Sequence, residues 1–219
     1  MAENISKDLK KYKALVKASN IGAWEYSVAE DFLWCNEIYF SMLGRNKVDY
    51  SVQTKNLDDA WADLLHPDDK EKASKTFAEY VKNPVGQYEN YFRMSHADGS
   101  WIWIWSRGRL LDGLENTNSK IIIIGTHVDI TKHKETEEVI LQERILLRTL
   151  IDSLPDIIFV KDAEGRKVIA NRADVSNMRA GTEADVIGKT DIELYPNEIG
   201  LRGFEDDMSV LKDGISILN

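Results

Sequence analysis

The chain has 219 residues, 43% of them hydrophobic and 30% charged, which is the composition of a globular protein with enough chain for one or two cores. Its formal net charge of −9 argues against nucleic acid or an anionic membrane surface as a partner. The one cysteine, Cys35, excludes an internal disulfide framework and fits a reducing compartment.

The sequence contains no apolar run near the ~20 residues that a membrane-spanning helix needs. Residues 1–20 are too charged for a signal peptide. We therefore expect a cytoplasmic location, which leaves open a parent protein attached to a membrane through a segment outside this sequence.

The N-terminal part predicts a helix, two strands and a second short helix. Residues 4–19 place apolar side chains at helical spacing among lysines, which is typical of an amphipathic helix. The alternating segments 22–28 and 32–35 predict strands. Asn36 can cap the short apolar helix that Gly44 ends.

Two further helices are predicted before the main sheet. Residues 57–65 predict a short helix, and residues 67–82 a longer one. The sequence His66-Pro67-Asp68-Asp69 can be read as a set of metal ligands. A helix start accounts for each of these residues better, because proline suits the first helical position and acidic side chains suit the first turn. We therefore predict no metal site.

A meander of three strands follows, at residues 87–95, 101–111 and 120–128. The first two strands are joined by Asp98-Gly99, a strong turn dipeptide. With the two opening strands and the intervening helices, this order predicts an α+β fold in which helices cover one face of an antiparallel sheet.

The middle strand is unusual because both of its faces are apolar. Trp101, Trp103 and Trp105 alternate with Ile102 and Ile104, so the two sets lie on opposite faces. We expect both faces to be covered. The alternation alone does not say which set faces the core.

Residues 132–154 predict a long linker helix, with Asp129 or Thr131 placed to cap its start. Its apolar stripe favours a homodimer or partner surface over a plain spacer. The stripe residues that we predict to form this surface are Ile140, Leu147, Leu150 and Ile151.

The chain after Pro155 repeats its beginning. A shift of 135 residues places Trp24 on Phe159 and Asn36 on Asn171 without a gap. This period indicates tandem domains. The second copy lacks the meander, so we expect residues 155–219 to be poorly ordered, docked on the first domain or completed by a neighbouring chain.

An ordered set of motifs resembles the PAS domain with its PAC extension, found in bacterial sensor proteins, over residues 10–131. The motifs are Gly22-Ala23-Trp24-Glu25-Tyr26, His66-Pro67-Asp68-Asp69, Tyr91-Phe92-Arg93-Met94, Asp98-Gly99-Ser100-Trp101-Ile102-Trp103, Arg107-Gly108 and Gly125-Thr126-His127-Val128-Asp129-Ile130-Thr131. The resemblance implies a five-stranded antiparallel sheet with helices on one face. The domains expected are an N-terminal helix at 1–20, a PAS/PAC domain at 21–131, a linker helix at 132–154 and the front part of a second PAS domain at 155–219.

The resemblance also implies a function. Such domains sense a small ligand, a cofactor or a partner, and pass the change through the helix after the Asp-Ile-Thr motif. The output is commonly a histidine kinase of a two-component system or a cyclic-dinucleotide enzyme, and this sequence contains neither. It also shows no set of nucleophile, base and orienting group, so we predict a non-catalytic sensory region. The alternative is a ligand-free PAS module for dimerisation and relay.

The candidate pocket residues are aromatic, and the same residues could equally form a plain core. They are Trp24, Tyr39, Phe40, Trp61, Trp103 and Trp105. Haem is not expected, because the helix at 67–82 offers no axial histidine. Photoactive flavin is not expected either, because it needs a reactive cysteine within an Asn-Cys-Arg-Phe-Leu-type helix and Cys35 stands at a strand end. The ligand itself is unknown from the sequence.

Overall fold

The computed structural model describes residues 10–11, 14–46, 61–111, 121–214 and 216. The chain divides into two compact units between Thr136 and Glu137. The predictions for residues 4–9, 47–60 and 112–120 and for the apolar tail from 217 lie outside the described residues. Within the described residues, no helix is both long enough and apolar enough to cross a membrane.

The first unit is a five-stranded antiparallel sheet with helices. Its strands are β1 (Gly22–Ser27), β2 (Phe32–Cys35), β3 (Tyr88–Ser95), β4 (Trp101–Leu110) and β5 (Ile122–Asp129), and its helices are α1 (Glu37–Ser41) and α2 (Pro67–Lys82). The strand order is β2-β1-β5-β4-β3, so the N-terminal hairpin pairs with the last strand of the meander. This arrangement confirms the α+β fold predicted from the sequence.

The starts of both helices follow from local chemistry. Asn36 caps α1, because its side-chain oxygen accepts a hydrogen bond from the Tyr39 N–H at 2.9 Å. His66 caps α2 through its Nδ1, which accepts the Asp68 N–H at 3.2 Å, and Pro67 opens the helix as predicted. The helix predicted at 57–65 is wrong in the part that is described, because residues 62–64 form only a 3-10 turn.

Strand β4 turns its isoleucines inward and its tryptophans outward. Ile102 and Ile104 are buried in the core, whereas Trp101 is 41% exposed and Trp103 and Trp105 are partly exposed. The alternation was therefore predicted correctly, and the structure adds which set faces the core.

The core of the first unit is organised around one tryptophan that lies across the sheet. Trp24 on β1 stands opposite Gly125 on β5, which in turn stands opposite Gly108 on β4. A Cβ atom at Gly125 would lie 2.2 Å from the Trp24 ring, and one at Gly108 would lie 2.7 Å from it. The indole therefore fits flat against the sheet only because both facing residues lack a side chain.

A long helix, α3 (Thr131–Ser153), begins in the first unit and continues into the second. None of its described residues is buried. Leu147 is 62% exposed and Leu150 is 52% exposed, so the apolar stripe predicted from the sequence is open in the single chain.

The second unit has a two-stranded sheet and three short or medium helices. Its strands are β6 (Phe159–Lys161) and β7 (Lys167–Ala170), and its helices are α4 (Arg172–Asn177), α5 (Asp191–Leu194) and α6 (Glu198–Asp213). Gly214 ends α6 in the left-handed conformation, which is the usual glycine stop.

The strand pairing of the second unit repeats that of the first. Trp24 pairs with Cys35 in the first unit, and Phe159 pairs with Ala170 in the second, each residue shifted by 135 positions. Strands β2 and β7 span equivalent positions, from Phe32 and Lys167 onward. The internal repeat seen in the sequence is therefore present in the backbone pairing of β6 and β7.

The helix caps repeat as well. Asn171 occupies the position of Asn36, and its side-chain oxygen accepts the Asp174 N–H at 2.9 Å, as Asn36 accepts the Tyr39 N–H. The residues whose N–H groups bind the two caps differ in chemistry. Tyr39 is part of an aromatic core, whereas Asp174 is a buried carboxylate.

Ion pairs occupy the interior of the second unit. The Lys167 ammonium is 1% exposed and bonds both oxygens of Asp174, at 2.8 and 2.6 Å. Lys161 bonds Asp191 at 2.6 Å and also contacts Asp207. A buried charge without a partner is very unfavourable. The two lysine ammonium groups therefore need these aspartates as counter-charges.

We predict that Gly125→Ala destabilises the first unit by about 1–3 kcal/mol, because the added methyl group meets the Trp24 ring and the sheet backbone. Urea denaturation followed by circular dichroism measures this. Trp24→Leu provides the matched background, in which the same alanine should cost clearly less. Equal losses in both backgrounds would contradict the packing argument.

Candidate sensory cavity and helix junction

The first unit contains a small cavity between the sheet and the helices. Its volume is about 20 Å³, which is room for roughly one water-sized group. The residues that line it are Trp24, Leu33, Tyr39, Trp61, Phe77, Tyr88, Ser106 and His127. They come from β1, β2, α1, α2, β3, β4 and β5, with Trp61 just before the 3-10 turn.

The cavity wall is built from aromatic rings in contact with one another. The Tyr39 ring stacks on the His127 ring, with centroids 4.8 Å apart. The Phe77 ring makes edge-to-face contacts with Trp24 and Trp61, with centroids 6.0 Å and 5.4 Å apart. Such edge-to-face contacts fix the ring planes and leave little freedom without a coordinated movement.

The cavity is electrically neutral. Burial lowers the pKa of His127 to about 3, so its imidazole is uncharged at neutral pH. Burial also raises the pKa of Tyr39 well above its ordinary value and that of Tyr88 to about 12, so both phenols keep their protons. Among the described residues that line it, none is Asp, Glu, Lys or Arg.

Two lining side chains present hydrogen-bond donors without acceptors. The indole N–H groups of Trp24 and Trp61 are buried and have no hydrogen-bond partner among the described residues. By contrast, the Tyr88 hydroxyl accepts a hydrogen bond from Asn90 at 3.2 Å. Buried donors are nearly always paired in folded proteins, so two buried indole N–H groups without a partner among the described residues are an exception to that pattern.

The structure brings together only part of the set of pocket residues predicted from the sequence. Trp24, Tyr39 and Trp61 line the cavity, and Phe40 is buried in the same core without lining it. Placing Trp103 and Trp105 in the pocket was wrong, because the pleat of β4 directs both to the opposite face of the sheet.

Sequence reasoning missed Tyr88, Ser106 and His127 as lining residues. Each lies at an inward position of its strand, as does Ile104, two residues before Ser106. Once the isoleucines of β4 are known to face inward, the alternation of each strand assigns the others. The sequence signal that could have identified Ser106 and His127 is the presence of polar residues within otherwise apolar strands.

The outer face of the sheet carries aromatic and charged side chains that contact one another. The Arg107 guanidinium lies 3.9 Å from the centre of the Trp105 ring, on which Tyr91 also stacks at 6.0 Å. The Trp105 indole donates to Glu89 Oε1 at 2.7 Å. These contacts hold Trp105 in place although it is partly exposed.

The start of α3 is tied to the sheet by Asp129 and Thr131. One Asp129 oxygen accepts the Thr131 N–H at 2.8 Å and the Thr131 hydroxyl at 2.6 Å. The Thr131 oxygen in turn accepts the Trp103 backbone N–H at 2.9 Å. Both side chains therefore bond at the helix start, and Thr131 joins it to β4.

The comparison with family models supports the fold. A model described as the PAS fold matches residues 32–127, which is just under half of the chain and extends from β2 into β5. No curated protein matches this chain. The first unit has the PAS fold.

Solved structures similar to this chain include parts of sensor proteins. A sensory box histidine kinase/response regulator from Burkholderia thailandensis is 19% identical, with 64% of this chain and 98% of that chain covered and a TM-score of 0.50. The N-terminal domain of a diguanylate cyclase with a PAS/PAC sensor from Marinobacter aquaeolei is 20% identical, with coverage of 52% and 98% and a TM-score of 0.45. A domain of a light and redox sensing histidine kinase from Haloarcula marismortui, described as putative, is 20% identical, with coverage of 56% and 99% and a TM-score of 0.41. At these identities the likeness concerns the fold.

We predict that His127 makes the first unit acid-sensitive. Its pKa is about 3 when folded and 6.5 when free, so below pH 6.5 the unfolded chain takes up a proton that the folded chain excludes. The free energy of unfolding should therefore fall as the pH drops below 6.5, with this residue's share of the slope approaching about 1.4 kcal/mol per pH unit.

The measurement is urea denaturation of the wild type and of His127→Phe between about pH 7 and pH 4. The phenylalanine variant keeps a ring beside Tyr39 and cannot titrate, so its stability should fall less steeply. His133→Gln, at an exposed position, is the control and should follow the wild type. Parallel slopes for wild type and His127→Phe would refute the prediction.

Proposed function

We propose that this chain is a non-catalytic sensory and relay region of a multidomain signalling protein. The first unit senses a small molecule or a partner, and α3 carries the response to an output domain. The observation that carries the proposal is the position of the cavity. It is lined by His127 on β5 and Ser106 on β4, close to the point where these strands hold the start of α3.

The connection between cavity and helix is short and made of hydrogen bonds. His127 precedes Asp129 by two residues on one strand, and Asp129 binds Thr131 at the helix start. Ser106 follows Trp103 by three residues on the neighbouring strand, and Trp103 donates to Thr131. A movement of either strand at the cavity therefore changes the geometry in which α3 begins.

The output domain that we favour is a histidine kinase in a bacterial two-component system, with a cyclic-dinucleotide enzyme as the remoter alternative. A sensory box histidine kinase/response regulator is among the structural neighbours of this chain. The chain has a single cysteine, the buried Cys35, which fits a cytoplasmic location.

For the second unit, we propose the front part of a second PAS-like domain. The repeated strand pairing and the repeated asparagine cap support this, since both occur at a constant offset of 135 residues. Its exposed apolar side chains, including Phe159, Val160 and Ile169, would be covered by the strands that complete such a sheet.

The alternative is a ligand-free PAS module that serves dimerisation and relay. The observation in its favour is the size of the cavity, which at about 20 Å³ is close to that of a filled core. A thermal-shift survey of neutral metabolites separates the two functions, because a ligand that binds only the folded state stabilises it by RT ln(1 + [L]/Kd) and so raises the unfolding midpoint.

We predict that Asp129→Ala weakens the coupling between the cavity and α3. Removing the carboxylate leaves the Thr131 N–H without its acceptor, at a local cost of about 1 kcal/mol. Hydrogen exchange of the amides at 131–136 reports the helix start. In the wild type, Tyr39→Phe at the cavity should change this exchange, and in Asp129→Ala it should change it less.

The control for this coupling is Asp98→Ala, which removes the carboxylate that accepts the Ser100 N–H in the turn between β3 and β4. It should leave the response of residues 131–136 to Tyr39→Phe as in the wild type. If Tyr39→Phe has no effect on these amides in any background, the relay proposal fails.

We predict that α3 mediates self-association through the stripe that contains Ile140, Leu147, Leu150 and Ile151. Leu147→Glu should shift the chain from dimer to monomer, because it places a charge within this apolar stripe. Gln142→Glu adds the same charge on the opposite side of the helix and should leave the mass unchanged. Sedimentation equilibrium gives the mass, and a wild-type monomer at all concentrations would exclude this surface as a dimer interface.

A further inference from the structure

The last turn of α3 ends just before a proline, and one backbone carbonyl there has no helical donor. In an α-helix the carbonyl of Ile151 would bond the N–H of the residue four positions later, which is Pro155. Proline has no N–H, so this bond cannot form. Instead, the side-chain amide of Asn171 donates to the Ile151 oxygen at 2.8 Å. The end of α3 is therefore closed by the residue that caps α4.

Asn171 is fully buried and uses the whole hydrogen-bonding capacity of its side chain. Besides the bond to Ile151, its amide donates to the Asp156 carbonyl at 2.8 Å. Its oxygen accepts the N–H groups of Ile158 at 3.0 Å and Asp174 at 2.9 Å. These four bonds join the end of α3, the segment before β6 and the start of α4. A movement of one of these parts therefore changes the bonds of the others.

The equivalent residue of the first unit separates the shared bonds from the special one. Asn36 also caps a helix, and its amide donates to the Ile21 carbonyl 15 residues earlier at 3.0 Å. Asn171 makes the same two kinds of bond, so these belong to the repeated plan. The position equivalent to Pro155 is Asn20, which has an N–H of its own. The need for a side chain to close the preceding helix therefore arises in the second unit, where a proline stands.

Arg148 fixes the same end of α3 to β7. Its guanidinium donates to Asp152 on the helix at 2.9 Å, to Glu183 at 2.8 Å and to the Ala170 backbone oxygen at 3.1 Å. The other oxygen of Asp152 accepts the first N–H of α4 at 2.9 Å. These contacts keep the last turn of α3 in line with the junction of β7 and α4, where Asn171 lies.

The interior of the second unit reaches Asn171 through α4. Asp174, whose N–H Asn171 accepts, holds the buried ammonium of Lys167 with both carboxylate oxygens. The Lys167 Nζ lies 4.1 Å from the centre of the Phe159 ring on β6. A series of direct contacts therefore runs from the two strands of the second unit to the end of α3.

We propose that Asn171 is the contact through which the second unit sets the length of α3. While its amide holds the Ile151 oxygen, the helix keeps its last turn as far as Ser153. A change in β6 or β7 that moves Asn171 takes away this donor and opens the turn. Each residue lost from the helix rotates the exit of the chain by about 100°. The inference goes beyond the proposed function, because it gives the second unit its own influence on the relay helix.

Hydrogen exchange of the full chain tests the proposal at the amides of residues 151–153. Asn171→Asp keeps an acceptor for the α4 cap but cannot donate to Ile151. It should speed the exchange of these amides about tenfold, which is the effect of losing one buried hydrogen bond. Pro155→Ala supplies the missing N–H. In that background Asn171→Asp should speed the exchange clearly less.

Ser153→Ala is the matched control, because it removes a hydrogen bond within the same turn. The Ser153 hydroxyl donates to the Leu150 carbonyl at 2.8 Å and does not involve Asn171. Its effect on the exchange of residues 151–153 should be the same with and without Pro155→Ala.

Phe159→Leu tests the influence of the interior. It removes the ring beside the Lys167 ammonium and leaves the ion pair with Asp174 complete. The exchange of residues 151–153 should become roughly twofold to fivefold faster, which is the effect of losing one cation–π contact. In the Pro155→Ala background, this substitution should leave the exchange unchanged.

Protection of the β7 amides at 167–170 shows whether the second unit remains folded. If Asn171→Asp abolishes it, Asn171→Ser takes its place, since serine also caps a helix and lacks the amide donor. An equal effect of the Asn171 variant with and without Pro155→Ala would show that Asn171 does not replace the missing N–H, and the inference would be wrong. It would also be wrong if Phe159→Leu left residues 151–153 unchanged. The relay from the first unit is judged separately, at residues 131–136.

Discussion

The first unit depends on the fit of one indole over two glycines. Trp24 crosses the inner surface of the sheet because Gly125 and Gly108 present no side chain beneath it. From that position its ring meets Phe77, Tyr88 and His127, so it touches helix α2 and strands β3 and β5 at once. A single side chain thereby sets the spacing between the sheet and the helix, and the small cavity is what this spacing leaves open.

The same sheet has two faces with different chemistry. The inner face is apolar and neutral, whereas the outer face carries Trp105, Arg107 and Glu89 in mutual contact. Because neighbouring residues of a strand point to opposite faces, a shift of β4 alters both environments together. The backbone N–H of Trp103 adds a third connection, to the start of α3. The strand with the tryptophans is therefore the part of the sheet at which cavity, outer surface and helix meet.

Much of the fold could be predicted from the sequence because it rests on local patterns. The strands alternate, Asn36 and Pro67 mark helix starts, and Gly214 marks a stop, and each of these signals acts over a few residues. The orientation of β4 could not be predicted, because isoleucine and tryptophan are both apolar and either set could face the core. Only the inward aromatic residues of β1 and α2, brought close by tertiary folding, decide it.

The candidate site was less predictable for a related reason. Trp24, Tyr39 and Trp61 were identified by residue type, but Tyr88, Ser106 and His127 line the cavity through the pairing of distant strands. The loss of charge on His127 is a property of its burial, which no pattern in the sequence reveals. The ion pair of Lys167 with Asp174 was likewise hidden, since both residue types are usually solvent-exposed.

The difference between the two interiors has a thermodynamic consequence. Unfolding of the first unit exposes a large aromatic core, which raises the heat capacity and gives a strongly curved dependence of stability on temperature. Unfolding of the second unit exposes fewer buried apolar groups together with the paired charges of Lys161 and Lys167, and hydration of polar surface lowers the heat capacity. The repeat has thus kept one backbone plan while giving its two copies stability curves of different shape, so a change of temperature shifts the balance between them.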